Sequence, residues 1–391
     1  MPIEREIAKQ IDAAVDAESS ALSDLALKIH ANPELRFEEH RAAAWIGDLV
    51  EARGFTVERG IAGMPTSFRA RSGKSGGPKV AILAEYDALP EIGHACGHNL
   101  IAASAVGAFF AIAKVAEKLG GEAILLGTPA EEGGGGKIKL IDDGAFEGVA
   151  AAMMFHPFDR DLLAHPALAN AYVSLDFHGT PSHAAAAPHE GKSALTACMD
   201  AFRLIDGQRV HFKDGVRVHG YITRGGVAVN IIVEHASAEF SVRARDAAEL
   251  ARVQKIVERC AHAAAMASDV RVDVKSRAGY RDMKNNMAIA KKFGAHFSEL
   301  GRKPRDVDAR VGAGSTDMGD VSYVVPSIHP YCAVVDEGGP LIHTREFAQA
   351  SKSARGIETA LTVSKAMART AAEIMSDPQL REQMNDEWRS A

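Results

Sequence analysis

Apolar residues recur at helical spacing early in the chain. Leu22, Leu25, Ala26 and Ile29 share one face, Pro33 interrupts, and a second helix runs to a stop at Gly54. The pattern then shortens to strands at 56–59 and 67–70 and a glycine-rich turn at 72–78. Residues 80–84 are continuously apolar, as expected of a strand covered on both faces. A helix at 100–119 and strands at 122–127 and 150–155 follow it in alternation. A polar or ionisable residue stands just after each of these strands: Asp87, the pair Glu131 and Glu132, and His156. In open α/β sheets the carboxyl ends of strands are where sites are built, so this placement marks a candidate active site.

Near residue 169 the period changes again. Alternating strands are predicted at 171–177, 216–222, 231–234, 239–244 and 270–274, with helices at 193–205 and 247–266 between them. That order is a small two-layer unit of ferredoxin-like α+β character with an extra strand. Helical periodicity returns after about residue 285, and the last fifty residues read as wholly helical. The expected architecture is α/β: a catalytic domain of 1–168 and 284–391, with a mixed sheet flanked by helices, interrupted by an inserted domain at 169–283.

Composition narrows the function. Lys plus Arg is 45 against 51 Asp plus Glu, a formal net charge of −6. A nucleic-acid binder would show a basic excess, so none is expected. The longest apolar stretch, 100–113, has 14 residues, short of the roughly 20 that cross a bilayer. The first twenty residues are charged and hold no apolar leader core. Cys96, Cys198, Cys260 and Cys332 are scattered without paired spacing, which suits a reduced, cytoplasmic setting without membrane association.

Cys96 and His98 stand two apart, and a thiolate and an imidazole at that spacing can grip one borderline divalent metal. A buried cysteine beside a helix-capping histidine accounts for the same residues. In Glu131-Glu132, neighbours on an extended backbone face opposite ways, so one carboxylate can bind metal while the other serves as proton carrier. A solvated acidic turn is the bland alternative, weakened by the glycine run 133–136, which permits close approach. His156 and His343 complete a set of N, S and O donors suited to zinc or a similar ion. The Gly-X-Ser-X-Gly match at 73–77 lies in the predicted turn between two strands and leads into no helix, so it makes no nucleophile elbow, and no Walker loop is present.

Five stretches, in order, resemble the dinuclear metallopeptidase family of aminoacylases, carboxypeptidases and amino-acid amidohydrolases. They are 85–90, 94–100, 129–137, 179–189 and 314–322 with His329-Pro330. Within the family they are most similar to the branch of p-aminobenzoyl-glutamate hydrolase and β-alanyl-lysine-type dipeptidases. The resemblance implies two divalent ions per chain, Zn2+ or Mn2+ with Co2+ possible in vitro, held by Cys96 as bridge with His98, Glu132, His156 and His343. It implies Glu131 as general base and Asp87 as the carboxylate orienting a metal ligand. Many relatives carry Asp-Met-Asp where this chain has Glu85-Tyr86-Asp87, so Glu85 is a departure without an assigned role. The inserted domain matches a lid and dimerisation domain. There His183 would reach the partner's active site in a homodimer, and Asn230 and Arg243 would hold the substrate's carboxylate or carbonyl. The expected reaction is hydrolysis of the amide bond of an N-acyl or N-aroyl amino acid or small dipeptide. A hydrolytic deaminase on the same scaffold and a non-catalytic metal-binding module are the alternatives.

Overall fold

A computed structural model describes residues 3–391. The chain divides into two compact units. The first comprises the chain up to Pro166, Met283–Ala313 and Asp317–Ala391, and the second Ala167–Asp282 with Gly314–Thr316.

The first unit opens with α1 (Arg5–His30), longer than the apolar face at 22–29 suggests, because Ile7, Ile11 and Val15 extend the buried stripe through the charged N-terminal stretch. It continues with α2 (His40–Ala52), β1 (Val57–Arg59), β2 (Phe68–Gly73), β3 (Lys79–Ala84), α3 (His98–Ala113), β4 (Glu122–Gly127), α4 (Gly136–Asp142), β5 (Val149–Met153) and β6 (His156–Phe158). The second unit holds β7 (Ala169–His178), α5 (Ala194–Gln208), β8 (Arg217–Arg224), β9 (His235–Ala244), α6 (Ala247–Ala267) and β10 (Arg271–Ala278). The chain returns to the first unit with α7 (Met287–Glu299), α8 (Met318–Ser322), β11 (Ser327–Ile328), β12 (Tyr331–Ala333), α9 (Arg345–Ala350), α10 (Ala354–Ser376) and α11 (Pro378–Ser390).

The main sheet has the order β1-β2-β4-β3-β5-β11. β3 pairs parallel with β4 and β5, β5 parallel with β11, and β1, β2 and β4 run antiparallel, which makes the sheet mixed. β3 and β4 lie inside the sheet, and their almost wholly buried sequences explain the unbroken apolar runs. α3 is buried from His98 to Ile112, packed against α1 and α10. Gly107 permits that approach, since a Cβ there would sit 2.7 Å from Ser364 Oγ and 2.8 Å from Leu22. The stretch 300–344 is largely loop and short strand rather than helix, while helices resume at α9.

In the second unit the sheet order is β10-β7-β9-β8, all antiparallel, with α5 and α6 against it. This is the ferredoxin-like β-α-β-β-α-β arrangement, and the expected extra strand is absent. Residues 231–234 make only an isolated bridge, Ile231 to His183, because Gly225-Gly226 begins a loop that carries this segment alongside 180–184. Its core joins Val173, Leu175 and Phe177 of β7 to Ala197 and Cys198 of α5 and Val253 and Val257 of α6. Among the described residues, no helix is long and apolar enough to cross a membrane, and all four cysteines are free and buried.

Candidate active site

β3 delivers Glu85, Tyr86 and Asp87 from its carboxyl end, all buried. The chain then turns through Cys96-Gly97-His98 into α3. Gly97 has φ +77°, and a Cβ would lie 2.8 Å from Pro157 Cγ, so only glycine allows this corner to close on β6. The closure brings Cys96 Sγ within 3.2 Å of His156 Nε2. His98 Nδ1 donates to Asp87 Oδ1 at 3.0 Å and to its main-chain oxygen at 2.9 Å, leaving Nε2 for another partner. His156 Nδ1 donates to the Pro157 carbonyl at 2.7 Å, so it too presents Nε2. The second Asp87 oxygen accepts the Glu132 amide at 2.9 Å. One buried carboxylate thereby sets both an imidazole and the loop after β4.

That loop is not extended. Residues 131–134 form a turn entered through Ala130 at φ +61°, and the Glu39 carboxylate accepts the Ala130 amide at 2.8 Å. Glu131 and Glu132 therefore do not point to opposite sides of a strand. Each offers an oxygen in one group with a His98 nitrogen, all within 4.8 Å of one another. The glycine run serves backbone packing: a Cβ on Gly136 would meet the Pro129 carbonyl oxygen at 1.8 Å. His343, at φ +64°, donates its amide to the Ala95 carbonyl at 2.9 Å, and its Nε2 lies 3.4 Å from Glu132 Oε1. Left-handed non-glycine residues at Ala130 and His343 place backbone strain at the site.

The donors gather in overlapping groups: Cys96, His98 and His156; Cys96, Glu132 and His343; and His98, Glu131 and Glu132. Cys96 links the first two. Burial, then Glu132, pushes the Cys96 thiol well above its ordinary range. Burial alone would lower the His98 imidazole, but Asp87 and Cys96 outweigh it and raise it well above 6.5. Burial and His98 hold His156 at about 3. Burial, with Glu85, Glu132 and Asp317 around it, holds Glu131 well above the usual carboxylate range. A crowded buried set of acids and imidazoles holds protons that a bound cation would displace. His98 Nε2 and Glu132 Oε1 are buried without a hydrogen-bond partner, and both belong to these groups. Orphaned ligand atoms and a mixed S, N and O donor set fit a divalent metal of zinc type.

Several residues that sequence reasoning did not single out help to build the site. Glu39 binds both the Phe37 and the Ala130 amides. Lys137, fully buried, is paired with Glu85 and with Asp317 at 2.6 Å. Tyr331 stacks on His156 and His329 meets it edge-on, with ring centroids 5.0 and 5.6 Å away. Lys137, Asp317 and His329 lie within or beside the resembling stretches, which was the available signal; Glu39 carried none.

In the second unit His183 and Asn230 come together. The Ala184 amide donates to the Asn230 carbonyl at 3.0 Å, next to the bridge between His183 and Ile231. His183 Nδ1 accepts the Ala185 and Ala186 amides at 3.2 and 3.1 Å, so the neutral ring carries its proton on Nε2. Both residues are exposed. Arg243 sits near the far end of β9, paired in register with Asn170, with its guanidinium on Ser315 Oγ at 3.2 Å. Seven strand residues, ~26 Å of β-sheet from end to end, separate it from His235, where the His183–Asn230 end of the sheet begins.

Residues 167–268 match the peptidase dimerisation domain family. The chain is 38% identical to the Xaa-Arg dipeptidase of Mus musculus over 404 residues, covering 99% of this chain and 92% of that protein. It is 29% identical to a component chain of the p-aminobenzoyl-glutamate hydrolase of Escherichia coli, over 98% of this chain and 95% of that one. Among solved structures, a putative aminohydrolase from methicillin-resistant Staphylococcus aureus superposes with a TM-score of 0.80 at 19% identity, covering 94% of this chain and 99% of its own. A dinuclear metal-binding peptidase of the M20 family from Bacillus subtilis gives a TM-score of 0.72 at 19% identity, over 92% and 99%.

Proposed function

The chain belongs to the M20 peptidase family, and from that premise we propose that it is a metal-dependent amidohydrolase cleaving the amide bond of an N-acyl or N-aroyl amino acid or a small dipeptide. The observation that carries this reading is the convergence of Cys96, His98, Glu132, His156 and His343, with Glu131 beside them. These five would hold two divalent ions, Zn2+ or Mn2+, with Cys96 shared. When bound, such ions acidify water and polarise the scissile carbonyl.

The chain's own residues supply the rest. Glu131 accepts the proton of the attacking water and passes it to the departing amine nitrogen, which needs a carboxylate that is not itself a ligand. Asp87 fixes the His98 tautomer and the Glu132 loop through the bonds above. His183 carries its proton on Nε2, the state needed to donate to a developing oxyanion. Asn230 beside it and Arg243 are the candidates for the substrate's carbonyl and carboxylate. We assign His183 to the active site of a second copy in a homodimer formed through the inserted unit, where β8 is an edge strand with an exposed face. Free cysteines suit a cytoplasmic enzyme.

A panel of N-acetyl and N-aroyl amino acids, dipeptides and amino-substituted aromatics, assayed with Zn2+, Mn2+ and Co2+, tests the reading. Release of a free amino acid from an amide is expected. Ammonia release from the aromatics alone would move the assignment to a deaminase.

A further inference from the structure

Glu85 has no role in the site described above, and its surroundings give it one. One oxygen, Oε1, is bound by the Lys137 ammonium. The other, Oε2, is buried without a hydrogen-bond partner and faces His98 Nε2 at 3.5 Å, an atom likewise buried without a hydrogen-bond partner. The other His98 nitrogen is taken by Asp87, so Nε2 is the atom left to meet an ion, and Glu85 Oε2 lies next to it.

Lys137 explains why Glu85 keeps this orientation. Its side chain is wholly buried, and its ammonium is shared between Glu85 and Asp317 Oδ1 at 2.6 Å. Asp317 Oδ2 also accepts the Lys137 main-chain amide at 3.1 Å. Asp317 thus holds the lysine by both backbone and side chain, and the lysine holds one Glu85 oxygen and leaves the other facing His98. Glu85, Glu131 and Asp317 are close enough together to receive a cation, and the ammonium is the cation paired with two of them. An aspartate in place of Glu85 would be one methylene shorter between strand and ammonium.

We propose that Glu85 is an additional oxygen donor to the ion held on His98, and that Lys137 is the positioning residue that aims it there. The proposal rests on the metal-dependent reading above. Lys137 touches no reacting atom and acts through Glu85.

The test is metal affinity of the full-length protein, read by competition for Zn2+ and for Mn2+ against a chromophoric chelator, with circular dichroism as a fold control. Glu85→Gln keeps an oxygen for Lys137 and the side-chain shape, so it is the variant that folds most safely. It should weaken one of the two ions by about 10- to 100-fold, the range for losing a supporting group at a metal site. Lys137→Met should weaken the same ion, and Glu85→Gln/Lys137→Met should be no worse than the more affected single variant, because the two act on one donor. A lysine serving stability alone would lower the melting temperature in Lys137→Met and leave ion affinity in Glu85→Gln at the wild-type value. Wild-type affinity for both ions in Glu85→Gln overturns the proposal, and so do fully additive losses in the double variant. A wild-type protein that binds neither ion overturns the metal-dependent reading as well, which separates the two failures.

Discussion

Glu131 and Glu132 are neighbours with different attachments, and exchanging each for glutamine separates their proposed roles. The amide of Glu132 is pinned by Asp87 and its carboxylate meets His343, whereas Glu131 is held among other carboxylates by burial. Glu131→Gln should lower kcat by about 10² to 10⁴ while metal content stays near wild type. Glu132→Gln should lower metal content first. Elemental analysis beside kinetics decides this, and swapped outcomes would reverse the assignment. Glu39 gives a second residue-scale prediction. Burial, then Asp87, raises its carboxyl from 4.5 to about 7. The folded state therefore binds this proton more tightly than the unfolded chain, and the stability it contributes is complete below about pH 4.5 and lost as pH rises toward 7. Two and a half pH units correspond to about 3 kcal/mol. Guanidinium unfolding at pH 5 and pH 8 should show a smaller loss in Glu39→Gln than in wild type, and equal losses would show that Glu39 does not titrate in this window.

Elements place these residues through corners that local pattern hardly reveals. β3, β4 and α3 are read readily because unbroken apolar runs bounded by glycine and polar residues have few other solutions. The turn after β4 is different. The same Glu-Glu sequence fits an extended strand end or a left-handed entry at Ala130, and the Glu39 carboxylate on its amide, 91 residues away in sequence, selects the second. Residues 231–234 failed as a strand for a related reason: alternation is satisfied equally by a ladder and by an exposed loop, and Val229 and Ile231 are exposed. The Cys96 corner offers a test at this scale. Gly97→Ala would force a side chain into a left-handed position and against Pro157. It should cost about 1 to 3 kcal/mol of stability and weaken metal binding by displacing Cys96 from His156. A thermal melt and a zinc titration of the same preparation measure both, and unchanged zinc affinity would show that the corner does not set the cluster.

At the scale of the whole molecule, the proposed dimer requires that the active site be completed by the other copy. Glu131→Gln and His183→Ala should each be nearly inactive alone. Mixed under conditions where subunits exchange, half of the dimers are heterodimers, and one of their two sites has both residues intact. Activity should then return to about a quarter of wild type. Subunit exchange proved by mass, with no recovery of activity, would place His183 within its own chain's site or outside catalysis.

The sequence by itself determined most of the elements and the mixed and ferredoxin-like sheets they form, and it located the candidate donors, since Cys96, His98, Glu132, His156 and His343 all stand at the boundaries of elements that periodicity locates. Tertiary structure alone decided how those donors share atoms and which side chains hold them. Lys137 meets Glu85 across 52 residues and Asp317 across 180, and no periodicity within a segment encodes a contact of that range. The orientation of Asp87, with one oxygen on His98 and the other on the Glu132 amide, is of the same kind. A local pattern reports which face of an element is buried. Buried charges must find partners wherever packing brings them, and that pairing exists only once the chain has folded.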